Sequence, residues 1–323
     1  MVKARLTFVV LIAASAGAIV AHGAEEPYPN KSIRLILPIA PGGGMDMVAR
    51  GLGQKLGDNL GQTIVIDNRA GGGGSIGVEL AAHAAPNGYT LIMISSSAVI
   101  YQLLYRARYD LLRDFSPISQ VTAQPYLMVV NPSLPIRSVT ELIAFAKSNP
   151  GKLNYASSGN GSLTNLTGEL FKAATAVQII HVPYKTINAA FPDLFAGSIH
   201  MAFQSIVSVQ AHIKANRLRP VAVTSSQRAK SMPEVPTVAE SGVEGFAVTQ
   251  WFGAVAPART PRHIVERLHQ GIVKVLQQPE VASRFETDGA EVVGSSPQQL
   301  AAHIKAERDK WEKVIKETGI RAD

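Results

Sequence analysis

The sequence predicts an α/β protein built as two domains. Short apolar strands alternate with helical segments, a proline-rich passage interrupts the alternation before it resumes, and 323 residues exceed the size at which single cores usually stop growing.

At the amino end Lys3 and Arg5 precede an apolar run from Leu6 to Val20, followed by the small residues Ala21, Gly23 and Ala24. This is the pattern of a secretory signal over residues 1–24, and the run is shorter than the ~20 residues a spanning helix needs. The mature protein is expected to be exported, cleaved near Gly23 or Ala24. With no cysteine in the chain, neither disulfides nor a lipid-bearing cysteine is available, and the core must hold the fold.

Strands are expected at Ile33 to Leu37, Thr63 to Ile66 and Thr90 to Ile94, with helices at Met45 to Leu60 and Ser75 to Ala84 between them. Such alternation builds a parallel sheet. Ser116 to Pro135 reads as a proline-broken connection. A second set follows, with helices at Val139 to Ser148, Ser162 to Ala174, Ile187 to Phe195 and Ser208 to Ala215. Its strands are Lys152 to Ala156, Ile179 to Val182, Ile199 to Phe203 and Pro220 to Thr224. A loop rich in Pro and Glu, Ser231 to Gly245, leads to a strand at Gln250 to Ala256 and three terminal helices.

The most informative segment is IRLILPIAPGGGMDMVAR at residues 33–50, where an apolar strand runs into three glycines that open a helix. Glycine lets the backbone approach a ligand closely, and a helix start offers unpartnered N–H groups and about half a positive charge. The turn therefore suits a small anion, though it serves equally as a plain strand-to-helix connection. KLNYASSGNGS at 152–162 repeats the arrangement. Loops at the carboxyl ends of parallel strands are where α/β sheets bind ligands, so the pair predicts a carboxylate held across a cleft with no arginine clamp.

The formal charge is +7, reduced by two when Lys3 and Arg5 leave with the leader. Basic residues are interspersed with acids, as in Glu307, Arg308, Asp309, Lys310, Glu312 and Lys313, which marks a solvated helix face; nucleic acid is not an expected partner. The excess charge attracts anions at long range. The eight histidines show no metal-ligand spacing, and no metal or cofactor is expected.

Two motifs compete with a binding role. Gly73 to Gly77 fits the G-x-S-x-G elbow of serine hydrolases around Ser75, but the elbow needs a strand ending at the serine, and Asp67 to Gly72 intervene. Gly72, Gly74 and Gly77 fit a dinucleotide fingerprint that lacks its acid ~20 residues on. The protein is expected not to be an enzyme.

The segments YPNKSIRLILPIAPGGGMD, VIDNRAGGGGSIG, APNGYTL, PGKLNYASSGNGS, HVPYK, RPVAVTSSQR, VPTVAESG and WFGAVAPARTP together resemble the Bug family, periplasmic substrate-binding proteins of tripartite tricarboxylate transporters. The resemblance implies a Venus-flytrap fold with two crossing hinge strands, a discontinuous first domain over 25–123 and 250–323, and a second over 124–249. It implies a monomer that captures a small di-/tricarboxylate or aromatic carboxylate for transporter membrane subunits. The same fold also serves receptors that inform a sensor kinase.

Carried over by position, the ligand loops are Ile39, Ala40, Pro41, Gly42, Gly43, Gly44, Met45 and Asp46 in the first domain. In the second they are Ala156, Ser157, Ser158, Gly159, Asn160, Gly161 and Ser162. The family's first loop usually ends Gly-Thr-Asp, so Met45 replaces a hydroxyl donor with a flexible apolar side chain. Asp46 would repel an anion and is assigned to capping the helix start, which leaves backbone N–H groups as the contacts. Where the family often has Phe-Asp-Asn, this chain has Phe203, Gln204 and Ser205; the lost acid biases the pocket against amino acids. Ser95, Ser96 and Ser97 add hydroxyls at the cleft mouth. Ala98 to Tyr105 lacks the family's Asn-Pro and carries Tyr101 and Gln102. With Ile39, Met45 and Tyr184, Tyr101 hints at an apolar wall suited to an aromatic or longer-chain carboxylate. Lys185 either pairs with a distal carboxylate or lies on the surface, and Trp251 belongs to the hinge core.

Overall fold

The computed structural model describes residues 28–105, 107–287 and 289–321; the expected leader lies outside them. The first half of the chain forms β1 (Ile33–Leu37), α1 (Gly44–Leu60), β2 (Ile64–Asn68), α2 (Ser75–Ala82), β3 (Thr90–Ser95) and α3 (Ser96–Leu104). β1 lies between β2 and β3, parallel to both.

Next comes β4 (Phe115–Val130), a long strand where the sequence reads as proline-broken. Its first part pairs antiparallel with β9 (Thr249–Pro257), from Phe115↔Pro257 to Pro125↔Thr249, and on its other side with β10 (Glu291–Val292). From Tyr126 onward it pairs with β7 (Met201–Ser205) and from Leu127 with β8 (Arg219–Val223). Proline has no N–H for a central ladder and is tolerated at bulges and ladder ends. Here the register shifts between Pro117 and Ser119 and again between Gln120 and Thr122, while Pro125 is the last residue paired with β9. The prolines thus mark irregularities within one continuous strand.

The second half adds α4 (Val139–Ser148), β5 (Asn154–Ser157), α5 (Leu163–Thr175), β6 (Ile180–Pro183), α6 (Phe191–Ala196) and α7 (Ile206–Lys214). The expected bounds of α4 coincide with the observed ones because Ser138 caps it, accepting from Glu141 N–H. β5 pairs in parallel with β6 and β7. The sheet order is β2-β1-β3-β9-β4-β7-β5-β6, with β10 and β8 also on β4. Two parallel sets are thus joined through antiparallel strands, β4 and β9 being the expected crossing pair. The fold is the expected α/β flytrap architecture.

The chain ends in α8 (Arg262–Leu276), α9 (Pro279–Thr287) and α10 (Pro297–Thr318). α1, α8 and α9 bury Leu52, Leu56, Ile272 and Phe285 against the first sheet half. α10 reaches both halves, its Trp311 and Val314 sharing a core with Val99 and Ile100 of α3 and Leu166 and Phe171 of α5. Behind β9, the indole N–H groups of Trp251 and Trp311 donate to the same Glu307 oxygen at 3.2 and 3.0 Å, and Lys310 pairs with the other oxygen. Glu307→Ala would leave two buried N–H donors unpaired, each costing about 1–3 kcal/mol. A loss of roughly 2–6 kcal/mol is expected, read as a lowered urea midpoint at unchanged slope.

Candidate functional site

Helix starts converge on the groove beside the β4–β9 pair. One cavity, of about 310 Å³, is lined by Gly43, Gly44 and Met45 at the start of α1, Gly73 and Gly74 before α2, and Ser95, Ser97 and Ala98 at the start of α3. Pro38, Ile39, Ala40 and Val78 complete the first-half wall, and Gln250 and Phe252 of β9 form its back. A second cavity, of about 410 Å³, shares Gly73 and Ser97 and opens toward Gly72, Tyr101 and Tyr105 on one side and Asn160, Gly161 and Ser162 on the other. The two halves of the molecule meet at this point: a Cβ on Gly161 would come within 2.7 Å of Leu104 Cδ1.

Gly43 is the N-cap of α1 in extended backbone, φ −84° and ψ 172°. As the first two positions of the helix, Gly44 and Met45 have N–H groups without an intrahelical partner; in α3, Ser97 and Ala98 are the second and third positions, whose N–H groups are likewise free of intrahelical partners. α2 contributes differently. The 3-10 turn Gly72–Gly74 before it uses Gly74 N–H on the Gly71 carbonyl and Ser75 N–H on the Gly72 carbonyl, so its dipole, rather than these two donors, faces the cavity.

Among the described residues lining the two cavities there is no charged side chain. Asp46, the nearest carboxylate in sequence, is buried and accepts from Arg50 Nε at 2.9 Å, Gly42 N–H at 3.0 Å and Asn68 Nδ2 at 3.0 Å. Its side chain does not cap the helix at the N-cap position; it reaches back to the turn before it. The hydrogen bond from Arg50 is the largest influence on its titration, opposed by burial and aided by Gly42 and Asn68, and its pKa falls to about 2.

The second expected loop is less open than the first. Ser158 N–H donates to Thr164 Oγ1 at 3.0 Å, Gly159 N–H to Ser157 Oγ at 3.0 Å, Gly161 N–H to Asn165 Oδ1 at 3.1 Å, and Ser162 N–H to the Gly159 carbonyl at 3.2 Å. Ser157 Oγ is itself 2.5 Å from His181 Nε2. Those backbone donors are engaged within the loop, and Asn160, Gly161 and Ser162 form its cleft face.

Of the other expected residues, Pro41, Gly42 and Asp46 do not line the first cavity, and Ala156, Ser157, Ser158 and Gly159 do not line the second. Ser96 is buried, its hydroxyl donating to the Thr249 carbonyl at 3.3 Å. Gln204 is fully buried and its amide donates to the Ile187 carbonyl at 3.2 Å. Tyr184 donates its hydroxyl to Asp193 at 2.6 Å. Tyr184, Lys185, Gln204 and Ser205 line neither cavity.

Sequence reasoning missed Gly72 to Gly74, Gln250, Phe252 and Tyr105 as lining residues. The glycine run follows β2 and opens α2, the same rule that singled out the first loop. Gln250 and Phe252 flank the buried Trp251, and strand alternation places them on the opposite face. Ser75 begins α2, several residues after β2 ends at Asn68, so the nucleophile-elbow geometry is not formed. Among the described residues no group of three His, Asp or Glu is placed to hold a metal, and no helix is long and apolar enough to cross a membrane.

Two sheet halves joined by shared antiparallel strands, with a glycine- and serine-lined cleft between them, define a bilobal solute receptor. Residues 48–320 match the model of the tripartite tricarboxylate transporter family receptor, and the chain belongs to that family of periplasmic solute-binding proteins, which are receptors rather than enzymes. Protein BugT of Bordetella pertussis is 37% identical over 320 residues, 98% of each chain. An R. palustris protein solved with adipate is 36% identical, with 91% of this chain and 99% of that one covered and a TM-score of 0.77. MatC from Rhodopseudomonas palustris with bound malate is 30% identical over 89% of this chain and 100% of that one, at a TM-score of 0.74.

Asp46 contributes stability that is present above its unfolded pKa, near 4, and lost as pH falls through about 2. Because its Arg50 partner is 53% exposed, screening limits the contribution to about 1 kcal/mol. Asp46→Asn should lower the neutral-pH unfolding free energy by roughly that amount and flatten its decline between pH ~4 and ~2; a parallel decline in both proteins would remove Asp46 from this role.

Proposed function

We propose that the protein captures a small carboxylate in the cleft between Gly43–Met45 and Asn160–Ser162 and delivers it to the membrane subunits of a tripartite tricarboxylate-type transporter. The observation that carries this reading is the charge-free lining onto which the starts of α1 and α3 open. Uncharged backbone donors and aligned dipoles favour an anion without demanding a counter-charge. Each charge-assisted hydrogen bond is worth roughly 1.5–3 kcal/mol and each helix end about 0.3–1. A few of them reach the ~8 kcal/mol of micromolar affinity after ordering costs. The adipate- and malate-bound relatives support the ligand class.

On this reading residues 25–123 with 250–323 form one lobe and 124–249 the other, turning about β4 and β9 where Gln124 faces Gln250. The anion docks on the first lobe, and Asn160–Ser162 close over it. Closure requires contacts made only in the closed state, since a ligand that binds both states equally shifts nothing.

Gly43→Asp tests the placement. The position tolerates a side chain: its backbone is extended, a Cβ would meet only Ile39 Cδ1 at 3.7 Å, and Asp is a favoured N-cap. The variant should keep or raise its Tm while adipate or malate affinity, by calorimetry, falls at least ~100-fold through charge repulsion. Retained affinity would place the anion elsewhere.

A further inference from the structure

We infer that His181 holds the second cleft loop in its binding-ready shape by donating a hydrogen bond from Nε2 to Ser157, a positioning role that rests on the proposed cleft. Parallel pairing sets Tyr155 of β5 beside His181 of β6, and strand alternation puts Ser157 on the same face as Tyr155. The His181 ring lies against the Tyr155 ring, centroids 5.1 Å apart, and its Nε2 is 2.5 Å from Ser157 Oγ.

Ser157 is fully buried, and its hydroxyl meets three groups. Gly159 N–H, at 3.0 Å, can only donate to it, and the Gly159 carbonyl, at 3.1 Å, can only accept from it. A serine hydroxyl has one proton and two lone pairs. All three contacts are satisfied together only when the serine gives its proton to the carbonyl and accepts from both Gly159 and His181. The network therefore assigns a proton to His181 Nε2. The pair is then not a nucleophile and its base, because the nitrogen facing the serine already carries a proton.

The other side of the loop is tied separately. Gly161 N–H donates to Asn165 Oδ1 at 3.1 Å, Asn165 Nδ2 to Tyr155 Oη at 3.0 Å, and Tyr155 Oη to Glu169 at 2.7 Å. The two anchored residues are glycines at φ +111° and +69°, and glycine loses more freedom on being ordered than any other residue. With an anchor released, the Asn160–Ser162 wall would have to be ordered by the ligand, at the expense of affinity. The Gly159 anchor turns on the rotamer of Ser157. Among the described residues, His181 is the hydroxyl's partner from outside the loop.

One spectrum and a set of variants test this. At about pH 8 the His181 imidazole is neutral, since burial holds it below its ordinary range, and ring-nitrogen NMR should show the proton on Nε2; a proton on Nδ1 instead would overturn the inference. In ligand-free protein, His181→Ala should speed amide exchange at Gly159 at least ten-fold. The same variant should weaken adipate and malate, by calorimetry, about five-fold or more. His181→Gln puts an amide N–H close to the place of Nε2 and should restore both readouts to within three-fold of wild type. His181→Asn, one carbon shorter, should behave like alanine. Loss without selective rescue by glutamine would reduce His181 to packing, and unchanged exchange would remove it from the loop; in both cases the carboxylate cleft stands. Should His181→Ala fail to fold, Ser157→Ala keeps the ring, removes its acceptor, and should give the same two losses. If neither acid binds the wild type, the cleft reading falls and takes the role in binding with it.

Discussion

The antiparallel ladder between β4 and β9 is the constraint on which the cleft depends. β4 changes partners at one point: up to Pro125 it is bonded to β9, and beyond it to β7 and β8. Proline cannot donate to a ladder, so the change of partners falls where the strand has one fewer bond to give up. Gln124 and Gln250 face each other just before that point, and Gln250 and Phe252 look into the groove. Because the strands are continuous across both halves, the loops of the two parallel sets are held within reach of each other.

The chemistry of the cleft follows from keeping charge out of it. Asp46 is bound to Arg50, Gly42 and Asn68, so its negative charge is compensated away from the cavity wall, and Arg50 is engaged by the same pair. An ionic clamp would bind many anions strongly and indiscriminately, and would carry the desolvation cost of a buried charge. Backbone donors at helix starts are fixed in direction and cannot follow a misplaced ligand, so on the proposed reading shape and the apolar walls decide which carboxylate fits.

Much of the fold was legible in the sequence where local rules act alone. Strand-to-glycine-to-helix turns located β1 and α1, and Ser138 fixed the start of α4. Legibility failed where tertiary pairing overrides local preference. Pro117 and Pro125 argue locally against a strand, yet flanking partners hold β4 extended, with Pro117 at a register shift and Pro125 where the pairing with β9 ends. The Ala156–Ser162 loop looked like a second set of open donors, but Ser157, Thr164 and Asn165 side chains engage them, a choice of hydrogen-bond partner that composition does not reveal. Gln204 matched a family position by order, and its buried amide on the Ile187 carbonyl is a consequence of how β7 and the following turns pack.

The paired indoles behind β9 have a practical consequence. Trp251 and Trp311 are the two tryptophans of the chain, one in a hinge strand and one in the helix that backs both lobes, and they share a carboxylate oxygen of Glu307. Any shift of β9 against α10 changes the polarity and hydrogen bonding around both emitters at once. The protein thus carries a native optical gauge of how α10 seats on β9, readable in emission wavelength and intensity without an introduced dye or cysteine.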